Sequence, residues 1–518
     1  MAYIAPNSTL RLLHNVPLDP TYENTIYFAS ATAQASYFAG LAKYTLNQYT
    51  YLRKERVIRV GIVADNLYDV NYIMFQNTSF GSKWFYAFVT NIEYINNETA
   101  EISFVIDAMQ TWLLDINLNP CFIERQHTIT DNIGDNLIAE NLELGGYTNN
   151  SYTTTGYMTQ LAIVIAATFN ESMEDVVGGE YGGIYSGLYY NVFSDYEAAN
   201  SFIQDAVSEN KESGIVSIFM MPIEFTRDIG DPLARHSFSK AKAYTEIDGY
   251  VPKNKKLFTY PYNFLYVTNS NGVTAEYKYE YFSDPSCYFG VACDMSCAPT
   301  AVLYPINYKG VENNYDEKIT LLNFPQCAYN IDAFKAWLAQ ASNTTDAVVG
   351  IYNGITSAIG TVTGYSNMKA EKSINKGTTA VSLMESIGSV LIPTAQTLSK
   401  VYDLERTPPQ QRGQQSGSVM AAMGLKDFLF FPTSVRAEFA RIIDDYWTKY
   451  GYPIHRIGTP NLIARPHWTY IKTIGSDLTG SIPATDMAII KACFDNGITF
   501  WRNGSEVGNY NLDNSPTT

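Results

Sequence analysis

At 518 residues the chain has room for about three or four domains, and its composition narrows the class of protein. With 46% hydrophobic and 17% charged residues, it is too apolar to be disordered. The net charge is −16, and no Lys/Arg block marks a sequence-reading nucleic-acid binder. The 40 tyrosines favour half-buried sheets and wet subunit contacts.

The number of cysteines and the N-terminal sequence indicate the cellular compartment in which the protein folds. Six cysteines are too few for a disulfide scaffold in a chain of this length and are predicted to be core thiols: Cys121, Cys287, Cys293, Cys297, Cys327 and Cys493. The cluster at 287–297 lacks paired C-x-x-C spacing and a nearby histidine, so no metal site is predicted, while a disulfide there stays open. The first residues lack a secretory signal, which predicts assembly in the cytoplasm.

Residues 1–125 are predicted to form a β-domain. In residues 83–94, alternation predicts one shared face for Trp84, Tyr86, Phe88, Ile92 and Tyr94. In residues 101–107, it predicts one face for Ile102, Phe104 and Ile106. Asn96 and Asn97 lie between the two runs and supply turn residues. The pattern predicts a β-hairpin.

Residues 126–330 are predicted to be an inserted β or mixed domain. The region carries an apolar run at 161–169, a Gly/Tyr-rich tract at 178–183 and a strand-like stretch at 277–281. An amphipathic helix is predicted next, at 330–341.

The most informative segment follows. From 347 through 368, 22 positions carry no charged side chain, enough for a helix of roughly 33 Å, about the thickness of a bilayer core. A polar tip at 369–376 leads into a second apolar run at 380–398, interrupted by Glu385 and Pro393. The pattern predicts a hairpin whose plug or membrane residues are Val348, Val349, Gly350, Ile351, Gly354, Ile355, Ile359, Gly360, Val362, Gly364, Ile387, Val390, Leu391 and Ile392.

Two interpretations of this hairpin stay open. Its Val and Ile are diluted by Gly, Ser, Thr and Asn, which disfavours membrane insertion of a single copy. Small residues at four-residue spacing would let helices of several copies approach closely in lipid. The alternative is a hairpin packed in an ordinary soluble core. Shelter inside an oligomer's channel before release would satisfy both interpretations.

The remaining sequence predicts an exposed linker and then ordered structure. Residues 403–424 are rich in Pro, Gln, Gly and Arg, as linkers are. A helix is predicted after an N-cap at Thr433 or Ser434, ending at Gly451, from the spacing of Val435, Phe439, Ile442, Ile443, Tyr446, Trp447 and Tyr450. A short helix at 486–494 and a strand at 498–501 complete the chain.

Short motifs near both ends carry a family resemblance. They are Tyr72-Ile-Met-Phe-Gln-Asn77, Lys83-Trp-Phe-Tyr-Ala-Phe-Val-Thr90, Gln110-Thr-Trp112, Phe122 and Arg125, then Lys449-Tyr-Gly-Tyr452, Pro460-Asn-Leu462, Phe494-Asp-Asn-Gly-Ile-Thr499, Trp501 and Gly508-Asn-Tyr510. With them the chain resembles the distal tail-knob (tail-tube) proteins of small short-tailed Salas-type (Picovirinae-like) phages of Gram-positive bacteria. The resemblance covers about the first 125 and last 90 residues and the loop's location, and 126–330 shows no match.

The resemblance implies a structural role in a virion. It implies a homo-hexameric β-rich tube at the tail tip, assembled in the host cytoplasm and joined to an adjoining tail or collar protein. It further implies that hydrophobic loops plug the lumen and later form a pore in the host cell membrane, with genomic DNA passing non-specifically through the tube. The family's loop falls between Ala341 and Pro408, where the hairpin lies. Lys369, Glu371, Lys372, Lys376 and Glu385 make this loop more polar than a uniformly apolar plug.

Together these features predict a mainly β, α+β multidomain protein whose tail-tube-like β domains assemble as a ring, with an inserted hydrophobic helical hairpin. The predicted domains are a tube domain at 1–125, an inserted domain at 126–330, the plug or membrane-active loop with its linker at 331–424, and a segment returning to the tube domain at 425–518.

Enzyme signatures are missing from the sequence. There is no P-loop, H-E-x-x-H, G-x-S-x-G or EF-hand motif, and no catalytic residue, metal or cofactor is predicted. The scattered histidines are predicted to be surface or structural residues: His14, His127, His236, His455 and His467. Asp444 and Asp445 are predicted on a solvated helix face. The alternatives are a receptor-binding adhesin or baseplate module without membrane activity and a cell-wall hydrolase with a hidden carboxylate pair.

Overall fold

The computed structural model of the chain describes the residues that carry most of the predicted β structure. These are residues 7–47, 49, 56–78, 81–155, 161–169, 180–181, 184–185, 188–194, 196–211, 214–223, 234–269, 272–294, 299–321, 326–327 and 428–516. The predicted helix at 330–341, the hairpin at 347–398 with all of its plug or membrane residues, and the linker at 403–424 lie outside the described residues.

The chain forms two units, each assembled from separated stretches of sequence. Unit 1 comprises Met1–Gly145, Gly249–Leu257 and Ala437–Thr518, and unit 2 comprises Gly146–Asp248 and Phe258–Arg436. The short segment Gly249–Leu257 therefore belongs to unit 1, although the chain on both sides of it belongs to unit 2.

The N-terminal part of unit 1 centres on an antiparallel sheet. Its elements are β1 (Ser8–His14), β2 (Asn24–Ile26), α1 (Ala31–Gly40), β3 (Ala42–Asn47), β4 (Val57–Val60), β5 (Val70–Asn77), β6 (Trp84–Asn96), β7 (Thr99–Ile106), α2 (Ala108–Trp112), β8 (Ile116–Leu118) and β9 (Cys121–Gln126). Six of the described strands form the sheet in the order β3-β1-β5-β6-β7-β4. The predicted hairpin is confirmed as β6 and β7.

A β-bulge corrects the predicted face of this hairpin. Val89 pairs with Phe104 but Asn91 pairs with Ser103, so the extra residue Thr90 inverts the alternation along β6. Tyr86 and Phe88 consequently pack on one face of the sheet with Phe38 of α1, whereas Ile92 packs on the other face with Ile102 and Phe104. The prediction of one shared face from Trp84 to Tyr94 was wrong because the bulge has no local sequence signature.

Unit 2 is built from short strands and one described helix. They are β10 (Tyr147–Asn149), β11 (Thr153–Thr154), β12 (Leu161–Ala167), β13 (Glu180–Tyr181), β14 (Ile184–Tyr185), β15 (Tyr189–Phe193), α3 (Tyr196–Ser208), β16 (Ile215–Pro222), β17 (Ala234–Ala241), β18 (Asn263–Thr268), β19 (Thr274–Tyr277), β20 (Ser286–Asp294), β21 (Thr300–Tyr308), β22 (Val311–Asn313), β23 (Ile319–Leu321), β24 (Gln326–Cys327) and β25 (Leu429–Val435). The strand-like stretch at 277–281 is only partly a strand, since β19 ends at Tyr277 and a 3-10 turn follows.

Three main sheets make up the described part of unit 2. Their orders are β15-β12-β16-β24, β10-β25-β18-β19 with β11 also on β25, and β17-β20-β21-β22 with β23 on β21. The apolar run at 161–169 forms β12, which lies inside the first sheet, and α3 packs on that sheet through Phe202 and Ile203. An aromatic core that includes Tyr277, Phe289 and Phe430 joins strands of all three sheets.

The C-terminal stretch completes unit 1. Its elements are α4 (Ala437–Tyr450), β26 (Tyr452–Gly458), β27 (Trp468–Ile474), β28 (Leu478–Gly480), α5 (Ala484–Asn496) and β29 (Ile498–Trp501). A second sheet has the order β2-β29-β27-β9-β26, so strands from both ends of the chain share it, and β2 runs parallel to β29. α5 packs against it through Ile490 and Phe494.

The predicted C-terminal helices and strand are confirmed as α4, α5 and β29, but the predicted N-cap of α4 was wrong. Thr433 and Ser434 belong to strand β25, where both pair with β10 and β18. The helix end was predicted correctly, because the Gly451 amide donates to the Trp447 carbonyl at 2.8 Å and the residue has a φ of +67°.

We expect Gly451→Ala to destabilise the protein much more than Gly475→Ala. Both glycines have φ near +65°, where a side chain costs about 1–2 kcal/mol. A Cβ at Gly451 would also lie 2.5 Å from the backbone of Gln126 and His127, whereas nothing lies within 4 Å of one at Gly475. Overpacking should add about 1–3 kcal/mol. Urea unfolding of the two variants checks this, and equal losses would contradict it.

Candidate functional site

The motif residues that carry the family resemblance lie in unit 1, and several tie its elements together. Gln110 of α2 is buried, and its Nε2 donates to Thr25 Oγ1 and to the Ile26 carbonyl, both at 2.8 Å. Gln34 of α1 donates to the Gln110 side chain at 2.8 Å and to its backbone carbonyl at 2.7 Å. One amide therefore joins α1, α2 and β2.

Two tryptophans of the same motifs make comparable ties. Trp112 Nε1 donates to Asp486 Oδ2 at 2.7 Å, which joins α2 to α5. Trp501 Nε1 donates to Asn24 Oδ1 at 2.8 Å, which joins β29 to β2. The hydrogen bonds of these residues connect the elements of unit 1, so the role they have in this structure is to stabilise the fold.

A buried carboxylate caps α2. Asp107 Oδ1 accepts from the Gln110 amide at 2.9 Å, and Oδ2 accepts from the Tyr72 hydroxyl at 2.8 Å. Burial raises the pKa of Asp107 to about 6, and the hydrogen bonds from Gln110 and Tyr72 act in the opposite direction. Folding therefore makes this side chain easier to protonate, and with a pKa of about 6 it gains its proton only below neutral pH.

Asp444 of α4 anchors the short segment Gly249–Leu257. Its carboxylate accepts from Tyr250 Oη at 2.6 Å, from the Lys253 amide at 2.7 Å, and from the backbone and side-chain nitrogens of Asn254 at 2.9 and 2.8 Å. The side chain is fully buried, and burial raises the pKa of Asp444. The prediction that Asp444 lies on a solvated face was wrong, because Gly249–Leu257 covers that side of the helix.

Asp131 holds the same segment from another direction. Its Oδ2 accepts from the Lys255 amide at 2.9 Å, and its Oδ1 accepts from the Tyr452 hydroxyl at 2.8 Å. Two carboxylates therefore capture three consecutive backbone amides, at positions 253–255.

Glu140 binds the next residue of the segment. Its carboxylate accepts from Lys256 Nζ at 2.7 Å and from Trp447 Nε1 at 2.8 Å, and it also pairs with Arg125. Lys256 is 4% exposed, and burial lowers its pKa, while the Glu140 carboxylate acts in the opposite direction. Arg125, which belongs to the family motifs, also donates to the Gly451 carbonyl at 2.6 Å.

Two further buried groups adjoin these carboxylates. Arg465 is 3% exposed; burial lowers its pKa, and the charges of Tyr452 and Asp131 act in the opposite direction. Both ring nitrogens of His127 are committed: Nε2 lies 3.1 Å from the Thr448 carbonyl, and Nδ1 accepts from the Tyr470 amide at 2.8 Å. Burial lowers the pKa of His127 to about 3, so the ring is neutral.

The buried groups around Asp131, Glu140 and Asp444 form one network, which we call the unit 1 clamp. It contains three acidic and three basic side chains. Its charged members are Asp131, Glu140, Asp444, Arg125, Lys256 and Arg465. Balance matters here because each buried charge is stable only while its partners remain in place. Sequence reasoning singled out Arg125, Trp447 and Asp444 one at a time but did not connect them, because the bonded residues are as far as 326 positions apart.

An exposed apolar ladder crosses the second sheet of unit 1. Phe122 of β9 is in register with Ile457 of β26 on one side and with Ile474 of β27 on the other, so the three side chains share a face. Ile457 is 74% exposed and Ile474 is 57% exposed, and His455 stacks beside Phe122. Apolar side chains aligned in this way are typical of a contact surface.

The described residues also bear on the cysteines, on metal ligands and on membrane-spanning helices. The described side chains of Cys121, Cys287 and Cys493 are buried free thiols, as predicted. Within the described ranges, no group of three or more His, Cys, Asp or Glu residues is arranged to hold a metal ion. No α-helix in the part of the chain that the structure describes is long and apolar enough to cross a bilayer.

Comparison with known families matches most of the chain. The family "Bacillus phage phi29, Tail knob protein gp9, C-terminal domain" matches residues 232–515, and "Caudoviral major tail protein N-terminus" matches residues 6–117. The first match includes residues 232–330, so it extends into the middle region for which the sequence motifs suggested no relative.

Individual relatives match over nearly the whole length. The chain is similar to the tail knob protein gp9 of Bacillus phage B103 at 24% identity, of phage phi29 at 23% and of phage PZA at 25%, each over 99% of this chain and 100% of the relative. Its fold is similar to that of the bacteriophage C1 tail knob protein gp12, with a TM-score of 0.59 and 15% identity over 97% of this chain and 98% of the other.

The unit 1 clamp predicts different effects for two adjacent aspartates. Asp444→Asn should lower the free energy of unfolding by about 1.5–3 kcal/mol, because an amide cannot accept all four hydrogen bonds of the buried carboxylate. Asp445, which is exposed and pairs with Lys253 at 3.4 Å, is the matched control, and Asp445→Asn should change stability by less than about 0.5 kcal/mol. Urea unfolding followed by tryptophan fluorescence measures both. A similar effect of the two changes would contradict the clamp.

The raised pKa of Asp107 predicts that the free energy of unfolding depends on pH. Because its pKa rises from 3.8 to about 6 on folding, the stabilisation is complete below pH 4 and is lost as pH rises through 6. The loss should amount to up to about 3 kcal/mol in the wild-type protein. Asp107→Asn should remove this part of the profile, whereas Asp115→Asn, at a half-exposed position, should keep it. Unfolding between pH 4 and 7 tests this, and parallel profiles for Asp107→Asn and wild type would refute the assignment.

Proposed function

Because this chain belongs to the phage tail knob family typified by gp9 of Bacillus phage phi29, and so is a structural component of a phage tail, we propose that it builds the distal DNA-ejection tube. In this proposal six copies form a ring at the tail tip, attached to an adjoining tail or collar protein. The hairpins at 347–398 fill the lumen until ejection. They then insert into the host cell membrane as a pore through which genomic DNA passes.

The composition of residues 347–368 is the observation that carries the pore proposal. Exposing a stretch of this length without a charged side chain to water is unfavourable. Its glycines nevertheless weaken the insertion of a single helix into a membrane. Gly350, Gly354, Gly360 and Gly364 provide the small-residue spacing that lets helices of neighbouring copies pack in lipid. An oligomer that first shelters these segments and later releases them together would meet both conditions.

Features of unit 1 support the ring. The sheet shared by both ends of the chain presents the apolar ladder of Phe122, Ile457 and Ile474, which contact with another copy would remove from water. A closed ring needs two different contact surfaces on each subunit, so the ladder would face an unlike surface of the neighbour. The net charge of −16 suits a passage for DNA, because like charges hold the polyanion off the wall.

The glycine spacing can be tested by dye release from liposomes. We expect Gly354→Leu combined with Gly360→Leu to reduce leakage at least tenfold, because the larger side chains hold neighbouring helices apart. The matched control combines Tyr352→Leu with Ser366→Leu, each two positions from a glycine and on the side of the helix away from all four glycines. This control should leak as the wild type does, and deletion of 345–400 should abolish leakage.

Native mass measurement separates failure of the pore from failure of the tube. All variants should assemble into six subunits, as the wild type should, because the substitutions lie outside unit 1. Unchanged leakage after both the glycine substitutions and the deletion would exclude the membrane role. A protein that stays monomeric at high concentration would count against the tube.

A further inference from the structure

A cleft in unit 1 has no part in the proposed tube or pore. It has a volume of about 590 Å³, within the range of small-molecule sites, and lies between the end of β9, the loop at 127–138 and strand β26. The loop is held in place by Asp131, whose carboxylate bonds Tyr452 and Lys255, and by the doubly bonded ring of His127. The loop is therefore fixed at residues 127 and 131 before any ligand binds.

The lining of the cleft is rich in neutral hydrogen-bonding groups. Gln126 Oε1 and Asn136 Nδ2 are both buried, and neither has a hydrogen-bond partner among the described atoms. An unpaired buried acceptor and an unpaired buried donor are unfavourable, and a hydroxyl group can satisfy either one. Thr128, Thr130 and Asn461 add further polar groups to the wall.

The charged side chains of the cleft cancel, so its lining has no net charge to attract an ionic ligand. Asp135 and Arg456 contribute one negative and one positive side chain, and the ring of His127 is uncharged. Ile129, which is 62% exposed, supplies apolar surface beside the polar groups. A ligand with many hydroxyls and an apolar C–H face, but no net charge, matches this combination.

The strand edge that borders the cleft disfavours a peptide ligand. β26 is an edge strand among the described strands, but Pro453 has no amide hydrogen to donate. The register with β9 also shifts between Pro453 and Arg456, and His455 has a φ of +45°. A regular ladder with an added strand cannot form on such an edge.

From these features we propose that the cleft bounded by Gln126, Asn136 and Arg456 binds a neutral oligosaccharide. Small rotations turn the two amide side chains toward the cleft, where hydroxyls of the sugar donate to Gln126 Oε1 and accept from Asn136 Nδ2, and the C–H face of the sugar lies on Ile129. This binding is independent of ring assembly and of the hydrophobic hairpin.

Calorimetric titration of the full chain tests the proposal with named probes. The neutral probes are maltotriose and triacetylchitotriose, and the comparators are trigalacturonic acid and an extended threonine-valine hexapeptide. We expect at least one neutral trisaccharide to bind. Asn136→Leu should weaken that binding at least tenfold, and Asn91→Leu, at an exposed position of β6, should leave it unchanged.

A second pair of variants covers the case in which Asn136→Leu does not fold. Arg456→Ala should weaken binding several-fold, whereas Arg59→Ala, another exposed arginine on a strand of unit 1, should not. The proposal is overturned if neither trisaccharide binds at millimolar concentration, if only the anionic sugar or the peptide binds, or if binding survives both Asn136→Leu and Arg456→Ala.

Discussion

The buried charges of the unit 1 clamp are the constraint on which this structure most depends. Removing a charged side chain from water is unfavourable unless nearby groups of opposite charge and hydrogen bonds replace the lost solvation. In the clamp these groups come from β9 and the loop after it, from Gly249–Leu257, from α4, and from Arg465 in the segment between β26 and β27. No single stretch carries equal numbers of acidic and basic side chains, so all four stretches must come together for the buried charges of any one of them to be stable.

Local regularity explains what the sequence could predict of the fold. The β6–β7 hairpin, α4, α5 and β29 were found because their apolar residues repeat with the period of one strand or one helix. The predicted N-cap of α4 failed because Thr433 and Ser434 pair with strands far away in sequence. The bulge at Thr90 was not predicted, because a bulge is set by the pairing with the partner strand and does not change the residue pattern of the strand that contains it.

The same distinction applies to the candidate sites. Composition alone identified the segment at 347–398, since a long uncharged run is a property of consecutive residues. The clamp could not be found in this way, because Asp444 bonds Asn254 across 190 positions and each residue by itself looks like an ordinary polar side chain. The cleft was equally hidden, because its walls come from residues 126–138 and 453–461.

The shared second sheet also sets an order of events during synthesis. The strands of the first sheet have all left the ribosome once residue 106 has emerged, so its six-stranded arrangement can form early. β2 and β9, by contrast, must wait for β27 and β29 at the far end of the chain. Until translation ends, the backbone N–H and C=O groups along the edges of β2 and β9 stay unpaired, which leaves these strands open to pairing with other chains on the same polysome.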